Sequence, residues 1–338
     1  MLTPSRSKTR HATSLSSSAT QNGGGEKHPR EIISQSQRGQ GQEHKTRAEP
    51  QVEIQERGEI FFFYRPKVDK KEAHSVNDVQ RLYLVLQPES GEKSVEEKQE
   101  QESGKEGLKK GETGSVGNQG GHGSQEVNIE KEPLLRFIVI GRKSLPDPSQ
   151  KSRPYWGFVE IVTTKIEDVK TALKGGTEYH LISRAVGEGV YRILRHSLGK
   201  KMHTHLIYKL EFPPESKQNE PQESLNIERE GSFLIQIKNP DQHGSSQFRG
   251  LQNKRRAVFP AHLQGRFGQK RYFPADPPDF LNYEGCEFLL IAASDDIEEE
   301  LGLELETEEG EANECCSDLV KTFGETASTS ALFQGTWV

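Results

Sequence analysis

Apolar residues in this chain come in short runs separated by long polar stretches, and the runs recur in a matching order. Phe158–Val162 is apolar and rich in β-branched residues, the pattern of a strand. Ile166, Val169 and Leu173 follow at i, i+3 and i+7, one face of a helix. Phe288–Ala292 repeats the strand 130 residues on, and Ile297 and Leu301 repeat the helix with a shift of one. Upstream, Gly58–Arg65 corresponds to Gly187–Arg195: each begins Gly-Glu and closes an apolar run with arginine. Arg81–Pro88 corresponds to His205–Pro213, and Arg136–Ile140 to Ser232–Ile237. Asp147-Pro148 and Asp276-Pro277 each precede the last strand of their set. The order strand, strand, strand, loop, strand, helix thus occurs twice. A period this long is not that of a solenoid, whose units run to about 20–50 residues. It implies two similar lobes or two halves of one sandwich or barrel. Phe61-Phe62-Phe63-Tyr64 is apolar at consecutive positions, so that strand is expected to be buried on both faces.

Composition restricts where folding occurs. Only 31% of residues are hydrophobic and mean hydropathy is -0.81, below the usual apolar share of about 45–50%. The deficit is local. Residues 1–56 form an expected disordered tail, and 89–132, made of Glu, Lys, Gly, Gln and Ser, an expected disordered insert. The first cassette spans 57–174, a connection 175–186, the second cassette 187–305, and an acidic, polar tail 306–338. The fold expected is α+β and β-rich: two related cassettes of about four strands and one helix, sandwich- or barrel-like. Residues 242–275 are read as a long connection without alternation. Residues 1–25 carry Arg6, Lys8 and Arg10 and no acidic residue, which suits a plastid or mitochondrial transit peptide and a plain tail equally. No apolar run approaches the roughly 18 residues of a membrane span. Cys286, Cys315 and Cys316 make no disulfide framework, so a reducing interior, cytoplasm or nucleus, is expected, with a plastid as the alternative.

Charge and chemistry single out three sets of residues. The formal net charge is -6, yet residues 242–275 contain Arg249, Lys254, Arg255, Arg256, Arg266, Lys270 and Arg271 and no Asp or Glu. Phe248, Phe259, Phe267, Tyr272 and Phe273 are interleaved, so the stretch has the makings of an anion-binding or single-strand-binding surface. A protein or anionic ligand is the expected partner ahead of nucleic acid. The stretch Asp295–Glu314, with eleven acidic residues and no Lys or Arg, is also available to neutralise it. The second set is Arg65, Arg142 and Arg195, at strand ends, where they would line a cleft between the halves or simply sit in solvent. The third is His203 and His205, two apart on a strand and so on one face, with Glu211 in phase. That set would hold a metal in an enzyme. The strong catalytic signatures are missing: no Walker loop, no G-x-S-x-G, no H-E-x-x-H, no paired C-x-x-C and no G-x-G-x-x-G. No cofactor is indicated.

Several segments also carry a family resemblance: Gly58–Val68 with Asp78-Val79-Gln80-Arg81, Ile140–Pro146, Tyr155–Phe158 and Asn226–Ser232. Together they resemble a family of plant proteins of unassigned activity, with relatives in microbes. The resemblance covers 58–305 without the insert. It implies an intracellular protein with a lineage-specific N-terminus and assigns no activity, ligand or catalytic residue. The sequence therefore points to a non-catalytic binding protein that uses the basic aromatic loop and an inter-cassette cleft. The competing class is a metal- or anion-dependent enzyme centred on the His-x-His strand.

Overall fold

The computed structural model describes residues 51–70, 73–89, 92–96, 124–128, 132–150, 154–175, 182–198, 201–214, 219–242, 255–294, 301, 318–323 and 326–337. Eight strands close into one antiparallel barrel. They are β1 (Gln51–Pro66), β2 (Val79–Pro88), β5 (Leu135–Ile140), β6 (Tyr155–Thr163), β7 (Arg184–Leu198), β8 (Lys201–Phe212), β9 (Glu230–Lys238) and β11 (Glu287–Ser294). Between them lie a separate hairpin, β3 (Glu92–Glu96) with β4 (Ser124–Asn128), and the three-residue β10 (Tyr272–Pro274), which extends β9. Five short helices are present among the described residues: α1 (Ile166–Lys174), α2 (Glu220–Ser224), α3 (Ala261–Phe267), α4 (Asp318–Phe323) and α5 (Ser330–Gln334).

Around the barrel the order is β1-β2-β5-β6-β11-β9-β8-β7, and β7 returns to β1. Each half is a four-stranded meander, and two antiparallel joints weld the halves together. At one joint Ile60 pairs with Gly189, and at the other Phe158 pairs with Glu287. Both joints set a glycine directly opposite a phenylalanine, Phe62 with Gly187 and Gly157 with Phe288. At Gly157 the Phe288 ring occupies the space a side chain would need, since a Cβ there would lie 2.2 Å from it. Among the described residues, pairing at both joints makes the halves neighbours in one sheet rather than walls of a cleft. The sandwich and two-lobe alternatives, and the inter-cassette cleft, are thereby corrected to a single closed barrel.

Alternation along β1 then explains the core. Ile60, Phe62 and Tyr64 point inward and meet Leu84, Tyr208 and Ile235 among others. Phe61 and Phe63 point outward and are covered by Val169 and Leu173 of α1 and by Leu319 and Phe323 of α4. All four aromatic residues are fully buried, as the sequence led us to expect. One mouth of the barrel is filled by α2, α5 and Trp337, whose ring lies 5.6 Å from that of Tyr64. The other is filled by an aromatic nest of Phe259, Phe267, Phe273, Phe280 and Tyr283.

Several expected boundaries shift. Gln51–Glu56, placed in the disordered tail, belongs to the first half of β1 and pairs with β7. Part of the 89–132 insert forms the β3–β4 ladder. β7 begins at Arg184, inside the expected connection. The 242–275 stretch contains α3 and β10, and the 306–338 tail contributes α4, α5 and Trp337 to the packing. In the two tails and the insert the apolar residues were too sparse to signal structure locally, and in 242–275 the helix is too short to show a period, so long-range packing supplies what propensity does not.

The tail assignment hid the most unusual feature of the interior. The β1–β7 register slips at Gln55, a bulge that turns Ile54 outward and Glu56 inward. Glu56, 5% exposed, meets the fully buried Arg136 of β5 in a two-pronged ion pair of 2.5 and 2.9 Å. Tyr191 of β7 donates its hydroxyl to Glu56 Oε1 at 2.9 Å, and Arg136 Nε donates to Asn282 Oδ1 at 2.8 Å. Burial by itself disfavours the guanidinium charge, but Glu56 more than offsets it and holds Arg136 firmly protonated. Burial and the adjacent carboxylate likewise keep Tyr191 protonated as the donor. Removing one partner leaves an uncompensated buried charge. Arg136→Met should therefore cost roughly 3–5 kcal/mol in urea unfolding, and Arg136→Met with Glu56→Leu distinctly less than the single change. Equal losses in both variants would show that the charges are not energetically coupled.

Candidate functional site

The cationic surface is built on segment 255–271, downstream of β9. Its helix is amphipathic at the smallest scale. Leu263 and Phe267, four apart, enter the core, and His262 and Arg266, also four apart, face solvent. Phe259 stacks on Phe267 with centroids 5.9 Å apart and meets Phe280 edge-on at 5.1 Å. Gly268 turns the chain out of α3 with φ of +52°, a conformation that favours glycine. Gly285, at φ +90°, lets the 256–257 backbone pack against it, because a Cβ there would lie 2.7 Å from the Ala257 amide nitrogen. The backbone is thus pinned by its own aromatic residues, while Arg255, Arg256, Arg266, Lys270 and Arg271 are all exposed.

Some of these cations are held. Arg255 pairs with the buried carboxylate of Glu284, whose other oxygen accepts the Val162 amide at 3.0 Å. Arg266 donates to the Asp276 carbonyl at 3.3 Å, and Lys270 lies 5.8 Å from the Phe273 ring centre. Lys254 and Arg249, like the acidic stretch from Asp295 except Leu301, lie outside the described residues. The aromatic part of the expectation is corrected. Phe259 and Phe267 are core residues, 7% and 1% exposed, and half-buried Phe273 packs with them in the barrel plug; half-buried Tyr272 lies beside Trp156, and Phe248 lies outside the described residues.

The arginines Arg65, Arg142 and Arg195 do not gather. Arg65 follows Tyr64, which pairs with Arg184, and Arg195 lies eleven residues further along β7 opposite Glu53. At about 3.3 Å per residue the two are roughly 35 Å apart, near opposite ends of the barrel. Arg65 donates to the Ala172 carbonyl of α1 and covers the Tyr83 ring at 5.0 Å. Arg142 is exposed beside Tyr155. Arg195 bridges Glu53 and Asp276.

His203 and His205 do share the outer face of β8, joined by His196, which pairs with His203 across β7–β8. The His196 and His205 rings are 5.4 Å apart, and His205 Nδ1 lies 3.0 Å from Ser232 Oγ. Glu211 is six residues further along the strand, about 20 Å away, and sits instead near Glu59. The expected His203, His205 and Glu211 ligand set therefore does not converge, and no group of three or more His, Cys, Asp or Glu placed to hold a metal ion occurs among the described residues. Spacing in phase established a shared face but not a shared point.

No protein-family model matches this chain, and comparison with curated proteins and with solved structures finds no match.

The histidine face has one clear electrostatic consequence. Burial, and then the charges of His196 and His203, push His205 down to about 4. Burial and His203 lower His196 in the same direction. A histidine more acidic in the folded than in the unfolded chain leaves stability intact above the unfolded value of about 6.5 and erodes it as pH falls toward 4. His205→Asn, which keeps a polar partner for Ser232, should lessen the loss of stability between pH 7 and pH 4.5 by roughly 2 kcal/mol in denaturant titrations. An identical loss in both proteins would remove His205 as its cause.

Proposed function

We propose that this protein is a binding module without catalytic chemistry of its own, and that segment 255–271 is its contact surface for an anionic partner. The observation that carries this reading is the separation of roles within the segment. Aromatic residues anchor it inward and five cations stand outward, in a stretch with no acidic residue between 242 and 275. A rigid support keeps the ordering cost of binding low. The partner is an acidic protein surface or an anionic ligand. A single-stranded nucleic acid would require exposed rings on which bases stack, and Phe259 and Phe267 are committed to the core.

A poly-glutamate peptide serves as the probe, read by fluorescence anisotropy. Its affinity should weaken about tenfold between ~50 and ~200 mM salt. Arg256→Glu, Lys270→Glu and Arg271→Glu together should abolish binding while leaving the thermal midpoint near the wild-type value. Unchanged binding by the triple variant would refute the assignment, and tighter binding of a mixed-sequence oligonucleotide would redirect it to nucleic acid.

We also infer that the barrel arose by internal duplication. The support lies in the strand order. β1-β2-β5-β6 and β7-β8-β9-β11 follow one another in the same way, and each joint pairs a strand with its own counterpart, β1 with β7 and β6 with β11. A twofold axis across the barrel would pair the halves in this way. On this reading residues 184–294, expressed alone, associate as a dimer in sedimentation, and a chain that stays monomeric and unfolded counts against it.

A further inference from the structure

The C-terminal helix α4 is held on the barrel by an unusual clamp. Glu188 of β7 is 2% exposed, and its Oε1 accepts the backbone amides of Asp318 at 2.7 Å and Leu319 at 3.2 Å. These are the first amides of α4, which no preceding turn satisfies. At the other end of the helix, Phe323 sits edge-on to Phe61 and Phe63, with centroids 5.3 and 5.7 Å away. Glu59, Phe61 and Phe63 alternate along the outward face of β1, so the carboxyl of Glu59 lies in the same row as the two rings that α4 covers.

Four carboxylates surround Glu59, and in its own row Lys209 stands beyond Val190, paired with Glu230 at 3.3 Å. Glu188 approaches from β7, Glu211 from β8, Asp318 from α4 and Glu89 from the end of β2. Arg57 and Arg192 stand one step further along the same face, and Lys321 on α4 pairs with Asp318 at 2.6 Å. Glu188 must be an acceptor to hold α4, and a carboxylate accepts best when ionised. A second carboxylate charge at Glu59 is repelled by Glu188 and by Asp318 at the start of α4.

We propose that α4 is a latch that stays closed while Glu59 keeps its proton and loosens when Glu59 ionises, uncovering the Phe61–Phe63 face. Burial, followed by Asp318, Glu188, Glu211 and Glu89, raises Glu59 to about 7. A carboxyl more basic in the closed than in the open state favours closure below that value and loses its advantage as pH rises through it. The latch therefore works across the neutral range. The uncovered face is aromatic and apolar, the kind of surface that an amphipathic helix fits.

Hydrogen exchange in the full-length protein tests this directly. Protection of the amides of residues 319–323 is measured relative to those of 169–173 in α1, a ratio that cancels the intrinsic pH dependence of exchange. In the wild type the ratio should fall about fivefold between pH 6 and pH 8, the response to about one pKa unit of coupling. Glu59→Gln should hold the ratio at its pH 6 value throughout. Asp318→Asn, which keeps the clamped amide but removes a carboxylate charge and its pair with Lys321, should shrink the fall and gives an independent reading if Glu59→Gln folds poorly. A pH-independent ratio in the wild type, or a full fall in Glu59→Gln or Asp318→Asn, would overturn the latch.

Discussion

The guanidinium of Arg136 and the carboxylate of Glu56 meet where almost no solvent reaches them. Taking two charges out of water is expensive, and only a well-formed pair with its remaining donors and acceptors occupied can tolerate it. That requirement reaches far into the structure. The bulge at Gln55 must turn Glu56 inward, β5 must lie two strands from β1 across the barrel wall, and Tyr191 must arrive from β7. Asn282 closes the set from the 3-10 turn Pro278–Asn282, itself part of the aromatic plug. A slip of one residue in β1 would reverse every side chain and bury a lone guanidinium. The pair is thus better understood as fixing the register than as adding net stability.

The barrel wall is quiet, and the chemically distinctive surfaces are carried by what was added to it. Residues 255–283, between β9 and β11, bring both the mouth plug and the exposed cations. The C-terminal segment covers the outward face of β1 and ends against Tyr64. Connections that run over a rigid scaffold are where binding chemistry is generally carried. The two halves, similar in strand order, differ chiefly in these additions. Phe61 and Phe63 lie beneath α4, whereas the outward face of β7 and β8 carries His196, His203 and His205 beside Leu194, Ile207 and Leu301.

Much of the wall was legible in the sequence, because period-two alternation and four apolar residues in succession are local signals. Phe61–Tyr64 announced a strand buried on both sides, and the repeated order of runs located the strands of both meanders. Closure was not legible, since no local feature of Ile60 specifies Gly189 as its neighbour. Glu56 was hidden for a different reason. Gln51–Arg57 is mostly polar, and only the bulge at Gln55 makes one of those residues internal. The aromatic residues of 255–275 were visible but misassigned, because seven residues of helix containing Gly265 give too short a period to show which side is buried. Leu319 and Phe323, spaced by four, were the one available sign of α4, diluted by the polar tail around them.

The joint between β1 and β7 also sets the order in which this chain can fold. Within each meander, neighbouring strands are close in sequence or separated by a loop whose closure entropy grows only logarithmically with length. Ile60 and Gly189, by contrast, are 129 residues apart, and Gly157 and Phe288 are 131 apart. Neither joint gains anything until its distant partner has arrived, so the barrel belongs with slow, high-contact-order folders. Closure entropy favours hairpins within each half forming before either seam. Until the seams close, the backbone donors and acceptors along the open edges of β1 and β6 are unpaired on a nascent chain, where the β7 and β11 edges of a second copy offer the same register.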